Sequence, residues 1–105
     1  MDRQIVMVGF LQAQNCSNYP ASWRHSESAG DFMSPAYYGR IARALEDGKF
    51  HLGFFDDRLA MPDIYGANHA ESVSNGVRVV KMDPVPILAT MAMSTKCLGL
   101  AATCS

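Results

Sequence analysis

This sequence has no marked excess of either charge: nine Lys/Arg stand against ten Asp/Glu in 105 residues, a formal net charge of −1, with no run of like charge. That balance leaves no basic footprint for nucleic acid or for an anionic membrane. Long apolar runs are missing too. The longest, such as Ile5 to Leu11 and Leu98 to Ala102, fall far short of the roughly 20 residues a membrane helix needs. The amino terminus shows no basic leader, apolar core and small-residue cleavage site, so a cytoplasmic address is expected. Cysteine is scarce. Cys16, Cys97 and Cys104 have no metal-type spacing, and three thiols cannot close a disulfide framework. They read as reduced thiols, with Cys97 and Cys104 packed as small hydrophobes.

Signature motifs of several enzyme classes are also absent. His25, His51 and His69 are far apart and supply neither a helical pair nor a zinc cluster. No Gly-x-Ser-x-Gly elbow occurs, and Cys16 has no identifiable base partner, so covalent catalysis is unsupported. The turn after the first apolar run, Gly9-Phe10-Leu11-Gln12-Ala13-Gln14, is not a glycine-rich dinucleotide loop, and no phosphate loop ending in Gly-Lys-Ser/Thr exists. An enzyme built from these residues would leave the hard chemistry to a cofactor.

What is present is a pattern of alternation. Residues 4–11 form a nearly continuous, β-branched-rich apolar run, which predicts a strand buried on both faces and hence a parallel sheet. Ser34-Pro35 then gives an N-cap and a proline at the first helical position, Gly48 gives the stop, and Tyr37, Ile41, Ala44 and Leu45 recur at helical spacing. This predicts a helix over 35–47. A second apolar run at 50–55 predicts a strand. Asp83-Pro84 repeats the capping signal and predicts a helix over 84–97, followed by a third strand over 98–104. Two long irregular stretches interrupt the alternation, 12–33 and 56–82, the latter with Val77 to Val80 as a short strand or lid segment.

The order strand, helix, strand, helix, strand is that of an α/β parallel sheet covered by helices. Residues 1–105 read as one partial domain. Two architectures satisfy it: an open doubly wound sheet, or the first third of an eight-stranded barrel, which needs on the order of 250 residues. The chain stops inside an apparently buried strand, Ala101 to Ser105, which predicts a larger fold cut short.

In either architecture ligands bind at the carboxyl ends of the strands, where both long loops depart. Phe10 and Leu11, Phe54 to Arg58 and Thr103 to Ser105 should therefore share one rim. Asp57 beside Asp56 could accept a ligand's hydrogen bond, or the two could be solvated carboxylates with one paired to Arg58. Thr103 could offer a hydroxyl or simply pack. Phe10 and Phe54 could be core or pocket wall. Trp23, followed by Arg24 and His25 in the first loop, either tucks that loop down or covers a ligand.

Several segments resemble one family. Gly9-Phe10, Trp23-Arg24-His25, residues 38–50 with their Leu45-Glu46-Asp47-Gly48-Lys49-Phe50 helix exit, Asp57-Arg58-Leu59-Ala60, Asp63-Ile64-Tyr65-Gly66 and Leu98-Gly99-Leu100 resemble the start of the bacterial luciferase-like flavin monooxygenases. Within these the chain looks most like the nitrilotriacetate and dibenzothiophene sulfone monooxygenase group. The resemblance implies the N-terminal βαβαβ portion of a TIM (β/α)8 barrel. It implies reduced FMN supplied by a separate NADH:FMN reductase, with molecular oxygen, to oxygenate a small organic molecule such as a sulfur- or nitrogen-containing xenobiotic. A cytoplasmic homo-oligomer is implied as well.

By position, the resemblance places flavin contacts on Asp57 and Thr103, and substrate-side positions on Phe10, Phe54, Trp23 and Asn18. Asn18 stands where the sulfone enzymes carry a histidine, and Asp56 where they carry a proline. Alternatives on the same scaffold are a non-catalytic flavin-binding or partner module, and a deazaflavin-dependent hydride-transfer enzyme. Alone, the 105 residues should be inactive and prone to associate, because three strands leave a seam open.

Overall fold

The computed structural model of the chain describes residues 2–15, 19, 21–28 and 30–104. Three parallel strands, β1 (Val8–Gln12), β2 (Leu52–Asp56) and β3 (Gly99–Ala102), lie in the order β1-β2-β3. In register, Phe10 stands opposite Phe54, which stands opposite Ala101. The crossovers carry helices α1 (Pro35–Asp47) and α3 (Pro84–Ser94), and the second also holds the short helix α2 (Ala70–Asn75).

The capping signals act as chemistry requires. Ser34 Oγ accepts the Tyr37 N–H at 3.2 Å, and Asp83 Oδ1 accepts the Val85 N–H at 2.9 Å, each satisfying an orphan donor of a helix that opens on proline. At the exit of α1 the Gly48 N–H donates back to the carbonyls of Ala44 and Glu46.

Alternation along the strands divides the sheet into two faces. One carries Gly9, Gly53 and Phe55 against α1 and α3, where Tyr38, Ala42, Ile87, Met91 and Leu98 complete the buried core. Gly9 suits the close approach of α1: a Cβ would come within 2.8 Å of the Leu45 side chain, whose methyl groups would have to shift to admit it. The opposite face carries Val8, Phe10, Leu52 and Phe54 and has no second layer. Phe10 is 57% exposed.

Several expectations shift. The first strand was expected over 4–11, yet Gln4 to Met7 lie outside it, because β2 begins to pair only opposite Val8. The second helix ends at Ser94, short of 97, where the Thr95 hydroxyl caps the Met91 carbonyl at 3.0 Å. The third strand spans Gly99–Ala102 rather than 98–104, matching the four residues that β2 offers it. Val77 to Val80 form no strand; the helical residues of the second long stretch are Ala70–Asn75, ended by Gly76 in the left-handed region at φ +66°. Cys97 and Cys104 are exposed, not packed, since one lies in the turn before β3 and the other beyond its end. Cys16 lies outside the described residues, and no described helix is long and apolar enough to cross a membrane.

Candidate functional site at the carboxyl ends of the strands

Asp57 directly follows β2 and Thr103 directly follows β3, so parallel pairing brings them to one rim. The Thr103 N–H donates to the Phe55 carbonyl at 3.1 Å, extending the ladder by one bond, and the Asp57 N–H donates to Thr103 Oγ1 at 2.8 Å. A hydroxyl accepts twice and donates once, so this bond fixes the oxygen and leaves its proton to be donated elsewhere.

Beside them runs a row of polar side chains. Gln14 Nε2 donates to Gln12 Oε1 at 2.8 Å, and Gln12 Nε2 reaches Asp56 Oδ2 at 3.4 Å. That same Oδ2 forms an ion pair with Arg58 Nε at 2.8 Å, so the carboxylate paired with Arg58 is Asp56. Lys81 Nζ donates to the carbonyls of Arg58 and Ala60, both at 2.6 Å, and so ties the start of the second long loop to the segment preceding α3. That segment in turn pairs with the residues after β1. Gln14 and Lys81 form an antiparallel bridge, flanked by Asn15 N–H to Val80 at 3.1 Å and Met82 N–H to Ala13 at 2.8 Å.

The aromatic side lies next to this row. Phe10 and Phe54 tilt against one another with ring centroids 6.0 Å apart. A cavity of about 600 Å³ opens at the free edge of β1, walled by Phe10, Trp23, Phe32, Tyr37 and Ile41 together with the amides of Gln12, Gln14 and Asn15. Phe10 and Trp23 therefore share a wall, whereas Phe54 stands one ring behind it. Asp57 and Thr103 do not line this cavity. Asp57 borders a narrow neighbouring cleft, and Gln12 and Gln14 belong to both spaces and so join them. Asn18 lies outside the described residues.

Trp23 tucks the first loop onto the second, its Nε1 donating to the Asn75 carbonyl at 3.2 Å, and the residue, 42% exposed, also lines the cavity. Tyr38 stays protonated at neutral pH, because burial, reinforced by the neighbouring Tyr37, pushes its hydroxyl up to about 12. Among the described residues that hydroxyl and Asn15 Oδ1 are buried without a hydrogen-bond partner, so this wall carries polar demand as well as apolar surface.

Gln12, Gln14 and Lys81 join the site without belonging to any sequence motif. The two glutamines could have been found, since they alternate at the end of an apolar run and so share a face. Lys81 carries no local signal, because its partners lie more than twenty positions away. Among the described residues no group of three or more His, Cys, Asp or Glu side chains converges as a metal site would require.

No protein-family model matches the chain. It is 44% identical over 104 residues to the dibenzothiophene-sulfone monooxygenase of Rhodococcus erythropolis, an alignment that takes in 98% of this chain and 23% of that protein. The crystal structure of a long-chain alkane monooxygenase superposes on 99% of the chain, and 24% of its own length, with a TM-score of 0.88 at 28% identity. A riboflavin lyase solved with modified FMN and riboflavin superposes on 98% of the chain, and 23% of its own, with a TM-score of 0.84 at 28% identity. The chain thus spans about a quarter of the length of the relatives it matches, as an N-terminal piece would. Over nearly its whole length the chain matches about a quarter of the length of luciferase-like monooxygenases, with three parallel strands and their helices arranged as in those enzymes.

Proposed function

We propose that this chain is the N-terminal portion of a two-component flavin-dependent monooxygenase, which takes reduced FMN from a separate NADH:FMN reductase and uses dioxygen to oxygenate a small organic molecule. The observation that carries the reading is the bond from the Asp57 N–H to the Thr103 hydroxyl at the carboxyl ends of β2 and β3, beside the Phe10 and Phe54 rings. The residues suit a flat ring with a polar edge. Thr103 retains a proton to donate, the Asp57 carboxylate accepts, and the open aromatic face beside them offers stacking surface. Reduced FMN, when bound, supplies the electrons with which dioxygen is activated.

The chain's own residues then have three tasks. Asp57 and Thr103 orient the ring edge. Phe10, Phe54 and Trp23 shape the substrate side and keep water from it. The amides of Gln12 and Gln14 connect the two. Among the described residues no carboxylate, lysine or arginine lines the large cavity, which favours an uncharged, flat substrate, such as a sulfur- or nitrogen-containing aromatic xenobiotic, over a polyanion. As part of this reading the whole protein is a cytoplasmic homo-oligomer, and the 105 residues alone are inactive. The uncovered Val8, Phe10, Leu52 and Phe54 face supports that, because a sheet face of this kind needs a partner layer.

The test is oxygen uptake and product formation by the full-length protein with a flavin reductase, NADH, FMN and dibenzothiophene sulfone, using 18O-labelled dioxygen. One labelled oxygen in the product is expected. Flavin oxidation that yields only hydrogen peroxide, with every aromatic sulfone and thioether tried, would overturn the reading.

A further inference from the structure

The two long loops meet at Gly76, which ends α2. Its carbonyl accepts Asn15 Nδ2 at 2.9 Å, and the preceding carbonyl, that of Asn75, accepts the Trp23 indole N–H at 3.2 Å. A Cβ at position 76 would lie 3.1 Å from Cε2, Cζ2 and Nε1 of Trp23, and the backbone there has φ +66°. Glycine is therefore demanded twice, by the left-handed cap of α2 and by the indole against it. The Arg24 guanidinium lies over the same ring, 4.9 Å from its centroid. Both hydrogen bonds join segments far apart in sequence, and Asn15 and Trp23 also line the cavity.

We propose that Gly76 is a positioning residue: it sets where the Trp23 indole is held against the cavity, and hence how firmly a wide, flat substrate is gripped there. This rests on the reading of that wall as the substrate side of an oxygenase. Gly76 touches no substrate itself. Its two contacts to the first loop are the carbonyl bond to Asn15 and the space it leaves for the ring, so a single added methyl group shifts the Trp23 part of the cavity wall while leaving every lining side chain chemically unchanged.

The experiment uses the full-length protein with three substitutions: Gly76→Ala, Trp23→Phe and, as a control within α2, Ser74→Ala, whose hydroxyl bonds only back along the helix to the Ala70 carbonyl. Two quantities are read: the rate of native-state tryptic cleavage after Arg24, and KM and kcat for dibenzothiophene sulfone beside the narrower dimethyl sulfone. Cleavage that follows local opening tracks the opening equilibrium, and loss of one neutral hydrogen bond shifts that equilibrium about threefold to tenfold. Gly76→Ala and Trp23→Phe should speed cleavage by that factor and raise KM more for the wide sulfone than for the narrow one, with kcat of Gly76→Ala within about twofold. Ser74→Ala should change neither.

Unchanged cleavage in both loop variants would overturn the proposal. So would faster cleavage with KM unchanged, or with KM raised equally for both sulfones. The cleavage measurement needs no turnover. A wild-type protein that oxygenates nothing therefore defeats the oxygenase reading and the substrate-width part of the proposal, while the clasp itself still stands or falls on proteolysis. Should Gly76→Ala fail to fold, Trp23→Phe carries the same test.

Discussion

The backbone of Asp57 is held by the side chain of Thr103: its N–H donates to Thr103 Oγ1 at 2.8 Å across 46 positions of sequence. The two residues proposed to orient the flavin are thus one unit rather than two independent contacts. Thr103 fixes where the segment after β2 turns away from the sheet, and with it where the Asp57 carboxylate is presented.

Replacing the hydroxyl should show that coupling. Thr103→Val keeps the shape and removes both the acceptor for Asp57 and the donor to the ring. Thr103→Ser restores both. Reduced-flavin affinity of the full-length protein should fall about tenfold in the valine variant, as expected when roughly two hydrogen bonds are lost, and recover in the serine variant. Equal affinities for the wild type and Thr103→Val, measured anaerobically by fluorescence titration, would refute the assignment.

Phe10 and Phe55 should separate function from stability, though both are strand aromatics. Phe55 is completely buried between the sheet and α1, whereas Phe10 stands on the uncovered face. Phe55→Ala should destabilise the folded chain by about 3–5 kcal/mol. Phe10→Ala should lower the urea midpoint of the full-length protein clearly less than Phe55→Ala does, while weakening binding of an aromatic substrate. The reverse pattern would mean that Phe10 is core and that the substrate face lies elsewhere.

Glu46 ties the end of α1 to the turn before β3. Its carboxylate accepts the N–H groups of Lys96, Cys97 and Leu98, at 2.9, 2.7 and 3.0 Å. The Cys97 N–H, then the Lys96 N–H, and less strongly the Leu98 N–H and the Lys96 charge, hold its carboxyl below the ordinary value of 4.5. A carboxyl depressed in the folded state stabilises fully above its unfolded value, and that contribution is lost as pH falls through the folded value. The stability advantage of the wild type over Glu46→Gln should therefore be constant near neutrality, shrink as pH drops below about 4.5, and vanish in stronger acid. Urea midpoints measured from pH 7 downward check this; an advantage that grew on acidification would contradict it.

The parts of the fold that could be read in sequence are those with local chemistry. Ser34-Pro35, Asp83-Pro84 and Gly48 mark helix ends because capping is settled within one turn. The meeting of Asp57 and Thr103 followed from topology, since parallel strands bring their carboxyl ends to one rim. The bond between them did not, because no local pattern encodes a contact across 46 positions. α2 was likewise invisible. Its six residues include two serines and an asparagine, weak helix formers, and it is anchored by the Ser72 hydroxyl reaching the Pro62 carbonyl at 2.7 Å. Val77 to Val80 looked like a strand by composition but lack a strand partner.

Lys81 offers the last test, and the one least visible in sequence. Its ammonium group donates to the carbonyls of Arg58 and Ala60, while its backbone pairs with Gln14, so one residue joins the segments leaving β1 and β2. Charge-assisted bonds of this kind are stronger than neutral ones, and two acting together should hold the segment after Asp57 in place. Lys81→Met keeps the aliphatic stem and the backbone bridge but removes both donors. Amide hydrogen exchange across residues 57–61 should then quicken about tenfold or more, while the cores of α1 and α3 exchange as before. Because Asp57 begins that segment, reduced-flavin affinity should fall with it, and Lys81→Arg, which keeps the cation, should recover part of the loss. Fast exchange with unaltered affinity would show that the Thr103 hydroxyl alone suffices to place Asp57.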